Sequence, residues 1–522
     1  MTSNRRDFLT KAAALSGASA LAALLPATQA LAQTADVARA AHTGTGTVSD
    51  PRVGSVKGPR ILADAVPIKS RLRVDPSIWN WHRGTKTGGP SPANYYEASL
   101  GAWHTFDALP GDRDCDVVIV GGGLLGASTA LHLAEAGVDV ILVEQDHIGS
   151  GASGRNGGQL TPGIARWKAE TMIEHYSPEE ARRLWRLASV ETMDLVEALS
   201  DRYGFSCDYK RGHLTAALHA GHMGGLVNSA DARRQLGDTA VRIIGAGELK
   251  ERYLRSNIYH GAAVDSMGGQ AHPLALLRGL VYGLTGLGGR VYESTSVEAI
   301  EQNAGHATVI TTQGAIRARK GVVLAVHGST FRFLDGSPTT VPFYTYVSVT
   351  EPLNDAASLI PSDYAVYDTQ LQIDYYRLVR NNRLLLGGQG TGNSWSPRDV
   401  NKYLLGRINT VFPQLGKPAL EYSWGGISDL TLNGAADARK SDDTVPVYMV
   451  HGWSGHGVPQ AVRVGKAISD DLTGLNDDFT MLTKVAHAGI PLGRFLSPAV
   501  IPVVKGALTM RNSLSPADMI SF

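Results

Sequence analysis

Cys115–Gly126 reads CDVVIVGGGLLG and decides the fold, because it joins a β-branched run to a turn of spaced glycines. The run at 115–120 is typical of a buried parallel strand. The turn that follows has the spacing G-x-G-x-x-G, formed by Gly121, Gly123 and Gly126. A glycine-rich turn by itself is often only a turn, so its meaning depends on what comes next.

A helix and a second strand are predicted directly after this turn. The helix is expected to be amphipathic, with small apolar side chains at helical spacing on one face: Ala127, Ala130, Leu131 and Ala134. Gly137 ends the helix, and the run 138–143 predicts a second buried strand that leads into Glu144. The stretch therefore predicts a complete strand–turn–helix–strand unit with an acidic residue at its end.

This unit has the composition that binds a dinucleotide. The first glycine permits the tight turn, the second lets backbone N–H groups approach a pyrophosphate, and the third lets helix and strand pack closely. Glu144 lies eighteen residues after Gly126, where a carboxylate accepts hydrogen bonds from an adenosine ribose. The predicted cofactor-binding residues of the unit are Gly121, Gly123, Leu125, Gly126, Glu144 and Gln145.

A second glycine-rich loop follows, and Ile148–Gln159 reads IGSGASGRNGGQ. At these residues the sequence resembles the D-amino-acid-oxidase-like flavoprotein superfamily, and within it the γ-glutamylputrescine oxidase-like amine oxidases. The resemblance implies FAD rather than NAD, with the loop lying along the pyrophosphate and the flavin. It implies cofactor contacts from Ser153, Arg155, Asn156, Gly157, Gly158 and Gln159. Residues 150–154 contain no His or Cys, so we expect the FAD to be non-covalent.

The resemblance continues from about Ser91 to about Ser513. It implies a backbone contact from Val297 to adenine and a later strand of the FAD domain that ends at Ala325. His451–Val458 reads HGWSGHGV and resembles the family's closing FAD motif, with contacts from Gly452, Gly455, His456, Gly457 and Val458. The helix after this turn would direct its N-terminus at the pyrimidine edge of the flavin, where negative charge develops on reduction.

The segment 341–388 alternates like the strands of an antiparallel sheet, which the family uses as the roof of the substrate pocket. Tyr376 is a candidate for an aromatic wall around an amine, and Arg377 for binding a substrate carboxylate. Equally, such tyrosines pack a sheet and such an arginine forms a structural ion pair. His456 is a candidate for tuning the flavin or a packed turn residue.

The implied reaction is oxidation of an amine or amino acid, with hydride transfer to flavin N5 and hydrolysis of the resulting imine. Oxygen or a redox carrier would be the electron acceptor. An NAD(P)H-dependent flavin reductase is a second possibility, but it predicts a second strand–turn–helix unit with this glycine turn, and we find none, nor a C-x-x-x-x-C pair. A non-catalytic FAD-binding partner protein is a third. The sixteen histidines show no metal-ligand spacing, so no metal site is predicted.

The predicted fold is α/β: a discontinuous Rossmann-type FAD-binding domain and an antiparallel-sheet substrate-binding domain. The expected division along the chain is a signal peptide at 1–32, an N-terminal extension at 33–113, FAD-binding parts at 114–200, 261–340 and 421–477, substrate-domain parts at 201–260 and 341–420, and a helical tail at 478–522.

The N-terminus predicts export. Arg5 and Arg6 precede Phe8-Leu9, a stretch of small apolar residues and an A-x-A site at 30–32, which is typical of a cleaved twin-arginine signal. We therefore expect a periplasmic protein that meets the twin-arginine machinery already folded around its cofactor. The net charge of +1 gives no reason to expect nucleic acid as a partner. The two cysteines do not support a dithiol centre.

Overall fold

The computed structural model describes residues 72–73, 94–101, 103–164, 167–328, 339–370, 373–392 and 394–490, with short helical pieces at 501–503, 506–507 and 510. The predicted signal peptide and most of the predicted N-terminal extension lie outside these residues. So does most of the predicted tail after residue 490.

The first sheet carries the dinucleotide-binding unit. Its strands are β1 (Leu72–Arg73), β2 (Arg113–Val120), β3 (Val140–Val143), β8 (Arg290–Tyr292), β9 (Val297–Asn303), β10 (His306–Thr311), β11 (Gly314–Leu324), β17 (Asp437–Lys440) and β18 (Val447–His451). They run in the order β1-β9-β10-β11-β2-β3-β8, with β18 also beside β11 and β17 beside β18. Strands β8, β3, β2, β11 and β18 are parallel neighbours, so their carboxyl ends meet at one edge.

The second sheet is largely antiparallel, as predicted. Its strands are β4 (Gln159–Leu160), β5 (Lys210–Ala216), β6 (Val241–Gly245), β7 (Gly261–Gln270), β12 (Thr340–Thr350), β13 (Ala365–Asp368), β14 (Tyr375–Val379), β15 (Arg383–Thr391) and β16 (Leu420–Thr431). The β13–β5 pair is parallel. Strands β7 and β16 belong to this sheet although the predicted boundaries assign 261–270 and 421–431 to the FAD-binding parts. The domain division itself stays a prediction.

Ten helices of six or more residues are described around the two sheets. They are α1 (Tyr95–Leu100), α2 (Leu124–Glu135), α3 (Ala169–His175), α4 (Pro178–Ala188), α5 (Val190–Tyr203), α6 (His222–Gln235), α7 (Pro273–Gly286), α8 (Pro397–Val411), α9 (Gly457–Thr473) and α10 (Asp478–Thr483). Strand β18 leads into α9 through a five-residue turn, 452–456, so the C-terminal part of the chain returns to the dinucleotide-binding unit.

Helix α2 is buried on all sides from Leu124 to Leu133, so the prediction of an amphipathic helix was wrong. Helix α9 covers the face that was expected to meet solvent. The Ser128 hydroxyl donates to the Val462 carbonyl at 2.7 Å, and a Cβ on Gly465 would lie 2.8 Å from the Ser128 Cβ. The small residues of α2 therefore serve close packing against two layers, which a one-sided periodicity analysis misses.

The two faces of the second sheet have different neighbours. Val347, Leu385 and Trp424 pack in the same core as α2 and α9. Tyr346 and Leu386 pack in a separate core with residues of α8. Because side chains alternate along a strand, each residue's position in the register decides which of these two surroundings it meets.

Candidate active site

The glycine-rich turn has a backbone that only glycine fits. Gly121 has φ +108°, and a Cβ there would lie 2.5 Å from the Ala325 carbonyl oxygen at the end of β11. A Cβ on Gly126 would overlap the Gly121 carbonyl oxygen. A Cβ on Gly123 would approach the Ser153 hydroxyl to 2.9 Å. The turn therefore forms a cradle at the N-terminus of α2, which suits a pyrophosphate.

Glu144 lies beside this cradle, as the sequence predicted. Its two carboxylate oxygens accept the Gly122 N–H at 2.8 Å and the Asp146 N–H at 3.0 Å. Burial raises the pKa of the Glu144 carboxyl. The Thr295 N–H donates to the Glu144 carbonyl at 2.8 Å, and β9 begins two residues later at Val297. Glu144 and Val297 therefore belong to one edge of the site, where the adenosine end of the cofactor fits.

Three further predicted residues lie in this region, two contributing through the backbone and one through its side chain. Leu125 is buried within the first turn of α2, so its N–H rather than its side chain is suited to the phosphate. The Gln145 amide donates to the neighbouring Asp146 carboxylate at 3.4 Å, at the rim of the unit. Ala325 donates its N–H to the Val120 carbonyl at 2.8 Å and so joins β11 to the turn.

The second glycine-rich loop links the two sheets. The Ser153 hydroxyl accepts the Leu124 N–H at 2.9 Å in the first turn of α2. Arg155 donates from Nε to the Gly425 carbonyl at 2.8 Å, and Trp424 Nε1 donates to the Arg155 carbonyl at 2.9 Å. Burial lowers the pKa of the Arg155 guanidinium. The loop is therefore fixed at one end by the cradle and at the other by β16.

Asn156 shapes the loop from within. Its amide donates to the carbonyls of Ala152 and Ser153 at 3.1 and 3.0 Å, and its Oδ1 accepts the Gly158 N–H at 2.8 Å. A Cβ on Gly157 would lie 2.5 Å from the Tyr375 ring, so β14 packs directly on the loop. These contacts explain why Asn and Gly occur in this order.

Gln159 joins the loop to the second sheet through a histidine that the sequence analysis missed. Its amide donates to the Val366 carbonyl at 2.7 Å, so its Oε1 accepts from His213 Nε2 at 3.0 Å. Burial lowers the pKa of His213 to about 4, so this imidazole is neutral at pH 7. The ring of Tyr367 lies 4.6 Å from that of His213 and 6.3 Å from that of His456.

Arg377 is engaged by backbone carbonyls. It donates from Nε to Gly157 at 2.9 Å and from Nη2 to Ala271 at 3.0 Å, and its side chain is buried. Nη2 also lies 3.4 Å from the Tyr96 hydroxyl, which itself donates to the Asn156 carbonyl at 2.7 Å. This network favours a structural role for Arg377, because its guanidinium holds the second glycine-rich loop in place through hydrogen bonds.

Tyr376 points to the other face of the sheet. Its hydroxyl donates to the Tyr259 hydroxyl at 3.0 Å, and its ring packs edge-on against Phe412 at 5.4 Å. Tyr376 is one residue from Arg377, so the alternation of β14 turns it away from the FAD loop. This corrects the predicted aromatic wall: Tyr367 and Tyr375, rather than Tyr376, share the face of the loop.

The closing motif follows β18 at the carboxyl edge of the first sheet. Gly452 and Gly455 have φ +74° and +87°, and α9 begins at Gly457 with His456 as its N-cap residue. His456 Nδ1 lies 3.3 Å from the Ser454 carbonyl. Val458 is buried in the first turn of α9. The positive end of the α9 dipole therefore lies at the same edge as the glycine cradle.

In the described part of the chain, no group of three or more His, Cys, Asp or Glu side chains could hold a metal ion. The same residues include no helix long and apolar enough to cross a membrane.

The cradle, the acid at the adenosine edge and the loop between two sheets define a two-domain dinucleotide-binding flavoprotein. FAD fits these residues, because glycines alone allow the tightly packed turn at the N-terminus of α2, whose backbone N–H groups suit a pyrophosphate. The family model described as FAD dependent oxidoreductase (DAO) matches residues 116–470. The chain therefore belongs to this family, its cofactor is FAD, and it is an enzyme.

Known relatives agree. The chain is 34% identical over 414 residues to the gamma-glutamylputrescine oxidoreductase of Escherichia coli strain K12, covering 77% of this chain and 94% of that protein. It is 30% identical over 415 residues to a probable oxidoreductase, OrdL, of Haemophilus influenzae, covering 77% and 93%. The glycine oxidase structure from Geobacillus kaustophilus superposes with a TM-score of 0.60 at 23% identity, covering 70% of this chain and 96% of that one. The predicted family and fold class are confirmed.

Proposed function

We propose that this FAD-dependent oxidoreductase oxidises the C–N bond of an amine or amino acid. The observation that carries the proposal is the loop Ser153–Gln159, which is bonded to the glycine cradle at one end and to the second sheet at the other. The loop thereby brings one face of that sheet over the cofactor site. The 34% identity to a gamma-glutamylputrescine oxidoreductase supports an amine as the substrate class.

When bound, FAD would supply the acceptor for a hydride from the substrate carbon beside the nitrogen. The chain's own residues bind and orient that substrate. Tyr367 offers an aromatic ring between His213 and His456, and an aromatic face suits an amine or its cationic form. His213 is neutral and fixed by Gln159, so it adds no positive charge that would repel an ammonium group.

The N-terminus of α9, which begins at Gly457, would stabilise negative charge on a reduced cofactor held at this edge. The oxidised substrate is an imine, which water hydrolyses to an aldehyde or keto acid and a free amine or ammonia. Two electrons and one proton thus leave the C–N unit as a hydride, and the second proton leaves from nitrogen. We propose that the FAD is bound non-covalently.

The proposal is tested by turnover of a panel of polyamines, γ-glutamylated amines and amino acids, with the carbonyl product and released nitrogen compound both quantified. One class yielding equal amounts of both supports the proposal. Oxygen consumption matching the product identifies oxygen as acceptor, whereas product formed only with an added quinone or dye identifies a dehydrogenase. Absence of turnover with every class and acceptor would favour a non-catalytic FAD-binding protein.

We further propose export to the periplasm by the twin-arginine pathway. Arg5 and Arg6 support this proposal, since the pathway depends on the paired arginines. Replacement of both by lysine in the full chain is expected to keep FAD-loaded protein in the cytoplasm, while the unchanged chain appears in the periplasmic fraction. Equal distribution of the two proteins on cell fractionation would refute this route.

A further inference from the structure

A buried cluster of charged side chains lies where the two sheets meet. Asp429 comes from β16, Asp437 and Arg439 from β17, and His451 from the last position of β18. The side chains of all four are at most 3% exposed. His451 Nδ1 lies 3.6 Å from Asp429 Oδ2, and its Nε2 lies 3.3 Å from Asp437 Oδ2. The imidazole therefore bridges two buried carboxylates from different sheets.

The cluster is electrically balanced when His451 is protonated. Arg439 donates to both oxygens of Asp437, at 2.8 and 3.0 Å. Burial lowers the pKa of His451, but the adjacent carboxylates of Asp429 and Asp437 outweigh burial and raise it to about 9. The four side chains then carry two negative and two positive charges. A buried unpaired charge is expensive, so this balance is physically required.

The same cluster holds the closing loop, which is the turn 452–456 between β18 and α9. The Gly452 N–H donates to Asp429 Oδ2 at 3.0 Å, and the Ser454 N–H donates to the Asp429 carbonyl at 3.1 Å. A Cβ on Gly452 would lie 2.5 Å from the Thr431 methyl group, so β16 packs tightly on this turn. The backbone that leads to the N-terminus of α9 is therefore fixed by a side chain of the second sheet.

The cluster lies at the edge of the first sheet that would hold the cofactor. Strands β11 and β18 are parallel neighbours, and ligands of such sheets bind at the carboxyl ends of the strands. His451 is the carboxyl-terminal residue of β18. His327 follows β11 at the same edge, has φ +44°, and places Nδ1 3.2 Å from Asp429 Oδ1.

We propose that Asp429, Asp437 and His451 are positioning residues that fix the closing loop against FAD and, through the charge balance that they form with Arg439, set its reduction potential. None of them is required to touch the substrate. This role goes beyond the proposed C–N oxidation. It requires bound FAD but no particular substrate, so it can be tested independently of the substrate.

Removing a positive and removing a negative charge from the cluster are expected to shift the reduction potential of FAD in opposite directions. His451→Gln leaves the cluster with a net negative charge, which disfavours the added electron density of the reduced flavin. Asp437→Asn leaves a net positive charge, which favours it. The double variant restores neutrality. Damage to packing alone would not reverse sign between the two single variants.

The decisive experiment is spectroelectrochemical titration of FAD in the holoenzymes of the two single variants, the double variant and His260→Gln. The control histidine is exposed on the turn before β7. We expect His451→Gln to lower and Asp437→Asn to raise the reduction potential by about 30 mV, a tenfold change in relative affinity for the reduced form. The double variant should return close to the unchanged enzyme, and the control should not shift.

Shifts of the same sign in both single variants, or none in either, would overturn the proposal. If His451→Gln does not retain FAD, Asp437→Asn decides alone: a raised potential supports the charge effect, and an unchanged or lowered one refutes it. Because electrochemical reduction needs no substrate, the result is independent of the proposed reaction.

Stability against pH gives a second readout of the imidazolium. A histidine whose pKa is raised from 6.5 to about 9 stabilises the fold fully below pH 6.5, and the contribution is lost as pH rises through 9. Other groups around His451 are the same in the unchanged enzyme and in His451→Gln: Thr339, Arg439, His327 and His487. The stability deficit of His451→Gln should therefore be largest below pH 6.5 and shrink toward pH 9. A deficit independent of pH would contradict a charged His451.

Discussion

Gly126→Ala is expected to yield a protein that folds poorly around its cofactor and is purified without FAD. The added methyl group would overlap the Gly121 carbonyl oxygen and lie 3.1 Å from the Ile119 side chain. The Gly121 carbonyl and the buried strand β2, which contains Ile119, can make room for the methyl group only if the glycine turn opens. We expect FAD affinity to fall by at least about 100-fold, which corresponds to about 2.7 kcal/mol. Flavin content of the purified protein and FAD titration of the apoprotein measure the change.

Gly224→Ala is the matched control for this substitution. Gly224 lies in α6, and a Cβ there meets no atom within 4 Å. Alanine also has the better helix propensity, so FAD content and stability should be unchanged or slightly improved. Full retention of FAD by Gly126→Ala, with Gly224→Ala equal to it, would show that the cofactor does not occupy the cradle.

Arg377→Lys is expected to destabilise the fold and loosen FAD rather than act on the substrate alone. Lysine lacks the fork that reaches the Gly157 and Ala271 carbonyls together, so at least one buried carbonyl loses its partner. The cost of such a loss is about 2–4 kcal/mol in the free energy of unfolding. Denaturant unfolding of the holoenzyme and its rate of FAD release measure the effect.

Arg380→Lys is the matched control, because Arg380 directly follows β14, the strand that contains Arg377. Arg380 is paired with Asp208 at the surface, and such a pair contributes at most about 1 kcal/mol. Its replacement should leave unfolding and FAD release nearly unchanged. Wild-type stability in Arg377→Lys, combined with a higher KM only for carboxylated substrates, would instead assign Arg377 to the substrate carboxylate.

Local patterns were enough to predict the dinucleotide-binding unit. The strand at 115–120, the three glycines and Glu144 lie close together in sequence, and Glu144 accepts the N–H of Gly122 in the turn itself. The order of the loop at 153–159 was also informative, because Asn156 and the glycines after it bond to each other. Features that depend on short-range backbone geometry are therefore readable from one sequence.

Features that depend on packing between distant parts of the chain were not predictable from the sequence. The burial of α2 on all sides comes from α9, more than three hundred residues later. Tyr375 and Tyr376 were not distinguishable in sequence, since a shift of one position exchanges the two faces of a strand. The Asp429–His451–Asp437 cluster assembles three strands from two sheets, and no spacing along the chain announces it.

Anaerobic titration of the purified holoenzyme with amines and amino acids, followed by flavin absorbance, is the most direct test of C–N oxidation. We expect one C–N substrate class to bleach the flavin stoichiometrically and dithionite to produce the same final spectrum. Return of colour on admitting air would then mark an oxidase, and its absence a dehydrogenase. Flavin that dithionite reduces but that no amine or amino acid reduces would contradict the proposed function.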